Sequence, residues 1–117
     1  QAATMLLETS SGFESKAFVG YVEKAKFRHP IRPGHEMRLD LEVKQRGEGG
    51  FLLGASVLQR DRKCATINMG MVTAPLGEFV PADRLPVYLG VFQPGLAETE
   101  FQGFDFDPLE RLAHAIG

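Results

Sequence analysis

The chain has one cysteine, Cys64, and no tryptophan in 117 residues. A lone thiol excludes an internal disulfide framework and points to a reducing compartment, so a cytoplasmic location is expected. No apolar run approaches the roughly 20 residues that a bilayer-spanning helix needs. Excess positive charge is also missing: the formal net charge is −2 at pH 7. That leaves no basic footprint for nucleic acid, whose binding is dominated by phosphate neutralisation. No metal-ligand spacing, no glycine-rich phosphate loop and no Ser-His-Asp order stands out, so neither a metal nor a cofactor is expected. What remains is an ordinary globular composition, 44% hydrophobic and 24% charged, of a size that suits one modest core.

The organisation is legible from periodicity. Gln1 to about Thr9 is apolar almost all round and predicts a buried helix, with Gly12 as its stop. No N-cap residue precedes its apolar run, so its first turns are expected to lie upstream. Ala17 to Phe27 is rich in Phe, Val and Tyr and predicts a strand. Met37, Leu39, Leu41 and Val43 alternate with charged residues, which predicts a half-buried strand. Phe51–Gln59 and Cys64–Thr73 predict two more, joined by turns at "RGEGG" and "RDRK". The economical arrangement is an antiparallel meander packed on one helix.

After Ala74 the chain is punctuated by proline and glycine and is expected to be extended. "DPLERLAHAIG" then predicts a short helix, with Asp107 as N-cap, Pro108 at its first position and Glu110 completing a capping box. Its Leu109, Leu112, Ala113 and Ile116 face is expected to cover a neighbouring subunit. Residues 1–79 carry eleven Lys/Arg against nine Asp/Glu, and residues 80–117 carry two against six. The boundary between a domain and a tail is accordingly drawn at 79/80.

The segment "KFRHPIRPGHE", Lys26 to Glu36, poses the functional question. Its histidines can be catalytic, or its prolines and glycine can simply turn the chain. With the residues before it, Glu23, Lys24, Ala25, Lys26, Phe27, Arg28, Pro30, Ile31, Pro33 and Gly34, it resembles the short (3R)-hydroxyacyl-acyl carrier protein dehydratases over about residues 1–75. The resemblance implies an α+β hotdog fold, an antiparallel sheet wrapped around one central helix, here expected to be incomplete at its N-terminus. It makes "RHPIRPG" the family's Pro-Gly turn, with His29 and His35 as surface substitutions. It matches Gln1 to the family's helix glutamine and places the family's catalytic His and acid before Gln1, so no catalytic residue is assigned in this chain. Glu8 lies too late on the helix for that acid. Tyr21 stands where family members often have Gly, and the last forty or so residues exceed the usual length.

The activity implied is dehydration of a β-hydroxyacyl thioester. A base removes the proton α to the carbonyl and an acid protonates the leaving hydroxyl. Met5, Leu6, Phe27 and Ile31 are candidates for an acyl tunnel, against plain core. Lys24, Lys26, Arg28 and Arg32 are candidates for receiving an acyl carrier protein or acyl-CoA, against a solvated strand edge. Cys64 reads as an inert buried thiol, and His114 has no partner pattern. A non-catalytic hotdog subunit and a hotdog acyl thioesterase are the alternatives. An open sheet edge predicts a homodimer or higher oligomer.

Overall fold

A computed structural model describes residues 1–48 and 50–116. The elements run α1 (Ala2–Ser10), β1 (Ser15–Phe27), β2 (Arg38–Gly47), β3 (Gly50–Gln59), β4 (Arg62–Pro75), α2 (Leu85–Gly90), α3 (Gln93–Ala97) and α4 (Pro108–Ile116). Short 3-10 turns occupy Leu76–Glu78 and Ala82–Arg84. The chain divides into two compact units, one of residues 1–3 and 18–73, the other of residues 4–17 and 74–117. The second unit thus includes most of α1 with the C-terminal region.

The first unit is built on a four-stranded sheet of order β1-β4-β3-β2. The strands occur where periodicity places them, but the simple meander is corrected: β1 lies beside β4, not β2. The connection from Phe27 to Arg38 is long enough to carry the chain across the sheet, whereas β2–β3 and β3–β4 are antiparallel hairpins. In the first hairpin Gly47 pairs with Gly50; Gly49 of "RGEGG" lies outside the described residues. In the second, Gln59 pairs with Arg62 across Arg60 and Asp61, which have φ of 51° and 62°. Two positive φ values make a two-residue turn whose twist matches the strands. Asp61→Gly is therefore expected to stabilise the chain by about 1 kcal/mol, because the left-handed conformation costs a side-chain-bearing residue about that much; urea unfolding reads it.

Two bulges interrupt the ladders. Val43 pairs with Leu53 and Gln45 with Leu52, which leaves Lys44 as the extra residue of β2. Val57 pairs with Ala65 and Leu58 with Lys63, which leaves Cys64 as the extra residue of β4. A bulge bends its strand and re-aims a side chain or frees a backbone group. Leu53, Cys64, Ala65 and Met71 are buried in this unit. The Tyr21 ring lies over Gly70, where a Cβ would collide with it. That glycine makes room for the aromatic side chain on β1.

In the second unit, α1 ends as expected. The Gly12 amide donates to the Thr9 carbonyl and the Phe13 amide to the Glu8 carbonyl, with Gly12 at φ 69°. The expectation of an extended tail is corrected: residues 85–97 form two short helices. Pro86 and Pro94 sit in their first turns, where the missing N–H is no loss, so these prolines start helices instead of breaking them. Phe13, Leu76, Leu89, Leu96 and Leu112 form the core of this unit. α4 begins at Pro108, with Asp107 Oδ1 accepting from the Leu109 amide at 3.0 Å as an N-cap does. Its apolar face is corrected: Leu112, Ala115 and Ile116 pack into the chain's own core, and Leu109 is left 40% exposed.

Candidate functional site

The Pro-Gly segment is held by backbone and amide groups. The carbonyl of Cys64, freed by its bulge, accepts from the Arg28 amide at 2.8 Å and the His29 amide at 3.2 Å. Farther on, the buried side chain of Gln59 clips the turn. Its Oε1 accepts from the Arg32 amide at 2.9 Å, and its Nε2 donates to the carbonyls of Arg32 and His35 at 3.0 and 3.3 Å. Gly34 completes the turn at φ 82°. The exposed His35 ring lies 3.2 Å from the Arg60 guanidinium. Proline, glycine and one glutamine thus account for the shape of the segment, with no partnered histidine pair.

Two recesses lie on the first unit. One, of about 200 Å³, is lined by Lys24, Lys26, Arg28, Lys44, Thr66, Ile67 and Asn68. Residues two apart on a strand share a face, which explains why Lys24, Lys26 and Arg28 gather. Lys44 joins them from β2 by reaching over Gly54, and its Nζ donates to Asn68 Oδ1 at 3.1 Å. Three of the sequence candidates are brought together here; Arg32 lies in the turn instead. Lys44 and Asn68 were missed by sequence reasoning, since neither belongs to the basic run.

The second recess, of about 380 Å³, is lined by Phe27, Arg28, His29, Pro30, Ile31, Cys64 and Ala65. It unites Phe27 and Ile31, two of the four acyl-tunnel candidates. Met5 packs against the core of the second unit, 3.2 Å from where a Cβ on Gly95 would sit. Leu6 is half-buried on α1, and Gln1 is exposed just before that helix.

The most deeply placed charge is Glu8, in the second unit and 1% exposed. The Tyr88 hydroxyl donates to its Oε1 at 2.6 Å, the Ala17 amide donates to its Oε2 at 3.3 Å, and Lys16 Nζ lies 3.6 Å from Oε2. Lys16 Nζ also donates to the Tyr88 hydroxyl at 2.6 Å. Tyr88, in the segment read as extended, was missed. This carboxylate lines neither recess, and both of its oxygens accept hydrogen bonds.

Burial, together with the bond to Glu8, raises the Tyr88 pKa, although Lys16 opposes this. Burial pulls Lys16 down, but the Tyr88 bond and the attraction of Glu8 outweigh it, so its pKa lies above the ordinary 10.5. Both groups hold their protons more tightly when folded. Their stabilisation is complete below their unfolded values and is lost as pH rises through the folded ones. Stability is expected to fall in the alkaline range, and Tyr88→Phe is expected to flatten that fall; urea titrations across pH read both.

Among the described residues no group of three or more His, Cys, Asp or Glu could hold a metal ion. Nor, among those residues, is any helix long and apolar enough to cross a membrane.

No family model matches the chain. It is 40% identical over 52 residues to the 3-hydroxyacyl-[acyl-carrier-protein] dehydratase FabZ of Lactococcus lactis subsp. lactis, covering 43% of this chain and 34% of that protein. It is 35% identical over 68 residues to the FabZ dehydratase of Lactiplantibacillus plantarum, covering 56% and 46%. The chain thus spans less than half the length of either relative. In backbone it is similar to a probable thioesterase from Bartonella henselae, with TM-score 0.50, 12% identity and coverage of 62% and 59%. It is also similar to the PA5185 protein of Pseudomonas aeruginosa, with TM-score 0.51, 13% identity and coverage of 97% and 69%.

Proposed function

We propose, from the premise that this is an α+β hotdog chain with sequence kinship to the 3-hydroxyacyl-acyl carrier protein dehydratases, that it serves the dehydration of β-hydroxyacyl thioesters. The observation that carries the reading is the segment Glu23 to Gly34, which matches the family's pattern and whose part beyond β1 is a turn clipped by Gln59. In this reading no residue of 1–117 supplies the acid–base pair. The chain contributes the surroundings: the recess of Phe27 and Ile31 shields an acyl chain, and Lys24, Lys26 and Arg28 attract an acidic carrier or an acyl-CoA. Excluding water around the thioester strengthens every polar contact made to its developing charge.

The reading includes a homodimer or higher oligomer. β1 is one of the two outer strands of the described sheet, and Val19, Tyr21, Val22 and Phe27 on it are 58%, 59%, 58% and 78% exposed. A long apolar edge strand is an invitation to pair, and two-fold pairing closes it. Light scattering is expected to give at least twice the chain mass; a monomer at micromolar concentration contradicts the pairing.

The test of activity is hydration, the reverse reaction. Product made from the natural reading frame is expected to bleach the conjugated absorbance of an enoyl thioester. Release of free thiol without hydration moves the chain to the thioesterases. Failure of both leaves the non-catalytic subunit.

A further inference from the structure

We propose that the recess formed by Lys24, Lys26, Arg28 and Lys44 is a binding site for a phosphoryl group. The inference deepens the thioester reading, on which its choice of ligand rests, by adding Lys44 and Asn68 to the cations named there and fixing the group they hold.

Three features converge on it. The first is charge. Two cations of β1, Arg28 just past its end and one cation of β2 line a single recess of about 200 Å³ together with Asn68 and Thr66. The described ion pairs, Lys16–Glu8 and Arg38–Asp40, involve none of the four. Like charges set together on a sheet are destabilising, and an anion among them relieves that repulsion.

The second feature is construction. Lys44 does not reach the recess as an ordinary strand residue. It is the extra residue of the β2 bulge, and bulges re-aim side chains. Its stem crosses β3 at Gly54, where a Cβ would stand 2.6 Å from Lys44 Cε and 3.2 Å from its Nζ. Glycine is the residue that admits the crossing. Asn68, directly opposite Gly54 in the ladder, accepts a bond from the ammonium and fixes its position.

The third feature is chemistry. Ammonium groups act as point charges and a guanidinium offers a planar fork, a combination suited to the several oxygens of a phosphoryl dianion. Carrier-bound pantetheine and coenzyme A both bear phosphoryl groups, so the shared chemistry does not select between them.

The test is a titration of the full chain with inorganic pyrophosphate at low salt, followed by amide chemical shifts. Saturable shifts are expected at Lys24–Arg28, Lys44 and Asn68, weakening as salt rises. Gly54→Ala, which retains every charge, is expected to weaken binding about tenfold, since it costs one charge-assisted bond. Lys44→Met, which keeps the stem over Gly54 and removes the ammonium, is expected to weaken binding as much. Coenzyme A binding more tightly than pyrophosphate assigns the site to free nucleotide thioesters; phosphopantetheine binding more tightly assigns it to a carrier's arm. Shifts that track ionic strength regardless of anion, or that survive both variants, overturn the proposal. Hydration of enoyl thioesters is read in its own assay, so either result can fail alone.

Discussion

Lys16→Met is expected to lower the unfolding free energy by about 3 kcal/mol, because it leaves a buried carboxylate without its cation. Glu8 is 1% exposed and the Lys16 side chain 23% exposed. The two ends of the pair therefore differ. Stripped of Lys16, Glu8 keeps the Tyr88 hydroxyl and the Ala17 amide but, at 1% exposure, is shielded from bulk solvent. Stripped of Glu8, Lys16 swings its head toward solvent along its flexible stem. Glu8→Gln is accordingly expected to cost only about 1–2 kcal/mol. Urea unfolding of both variants and the double variant reads the asymmetry. Equal losses below about 1 kcal/mol would mean that the carboxylate is not sealed in solution.

Gln59→Leu is expected to cost about 2–3 kcal/mol, from three hydrogen bonds of about 1 kcal/mol each. Its effect should be local as well. The Arg32 amide and the carbonyls of Arg32 and His35 lose their partner together. The turn is then held only at its start, by the Cys64 carbonyl. Trypsin is expected to cut after Arg28 much faster in the variant, at a denaturant concentration where the rest of the chain remains folded. Unchanged cleavage would show that proline and glycine suffice to hold the turn.

Much of the fold was open to reading because its signals are local. Alternation at Leu39, Leu41 and Val43 marks β2, Gly12 marks the end of α1, and Asp107–Pro108 marks the start of α4. What escaped depends on partners far away in sequence. Tyr88 meets Glu8 across a separation of 80 residues, and nothing near either one announces it. The prolines of residues 85–97 carry opposite meanings, helix start or helix stop, and only the core formed by Leu89 and Leu96 with Phe13 and Leu112 selects the first. Lys44 looks like any polar residue of an alternating strand until the bulge re-aims it. The hairpin between β2 and β3 could be read, but the placement of β1 beside β4 could not, because a long connection does not say which edge it returns to.

The basic run illustrates the same division. Its two-residue spacing was legible: Lys24 and Lys26 share a face of β1, and Arg28, the residue next after the strand, continues the spacing into the same recess. Arg32 follows the same run in sequence but lies beyond the strand, where spacing no longer predicts direction.

The central claim is that "RHPIRPG" is a turn in a chain that serves β-hydroxyacyl thioester dehydration, with histidines that move no proton. The most direct measurement is enoyl formation from a 3-hydroxyacyl thioester by the product of the natural reading frame, with and without the His29→Ala, His35→Ala double substitution. The account predicts a conjugated enoyl product from both, with rates within about tenfold, since loss of a general acid or base costs about 100- to 10,000-fold. An active parent whose activity is abolished in the double variant would contradict it and return the histidines to the chemistry. An inactive parent would remove the dehydratase reading itself.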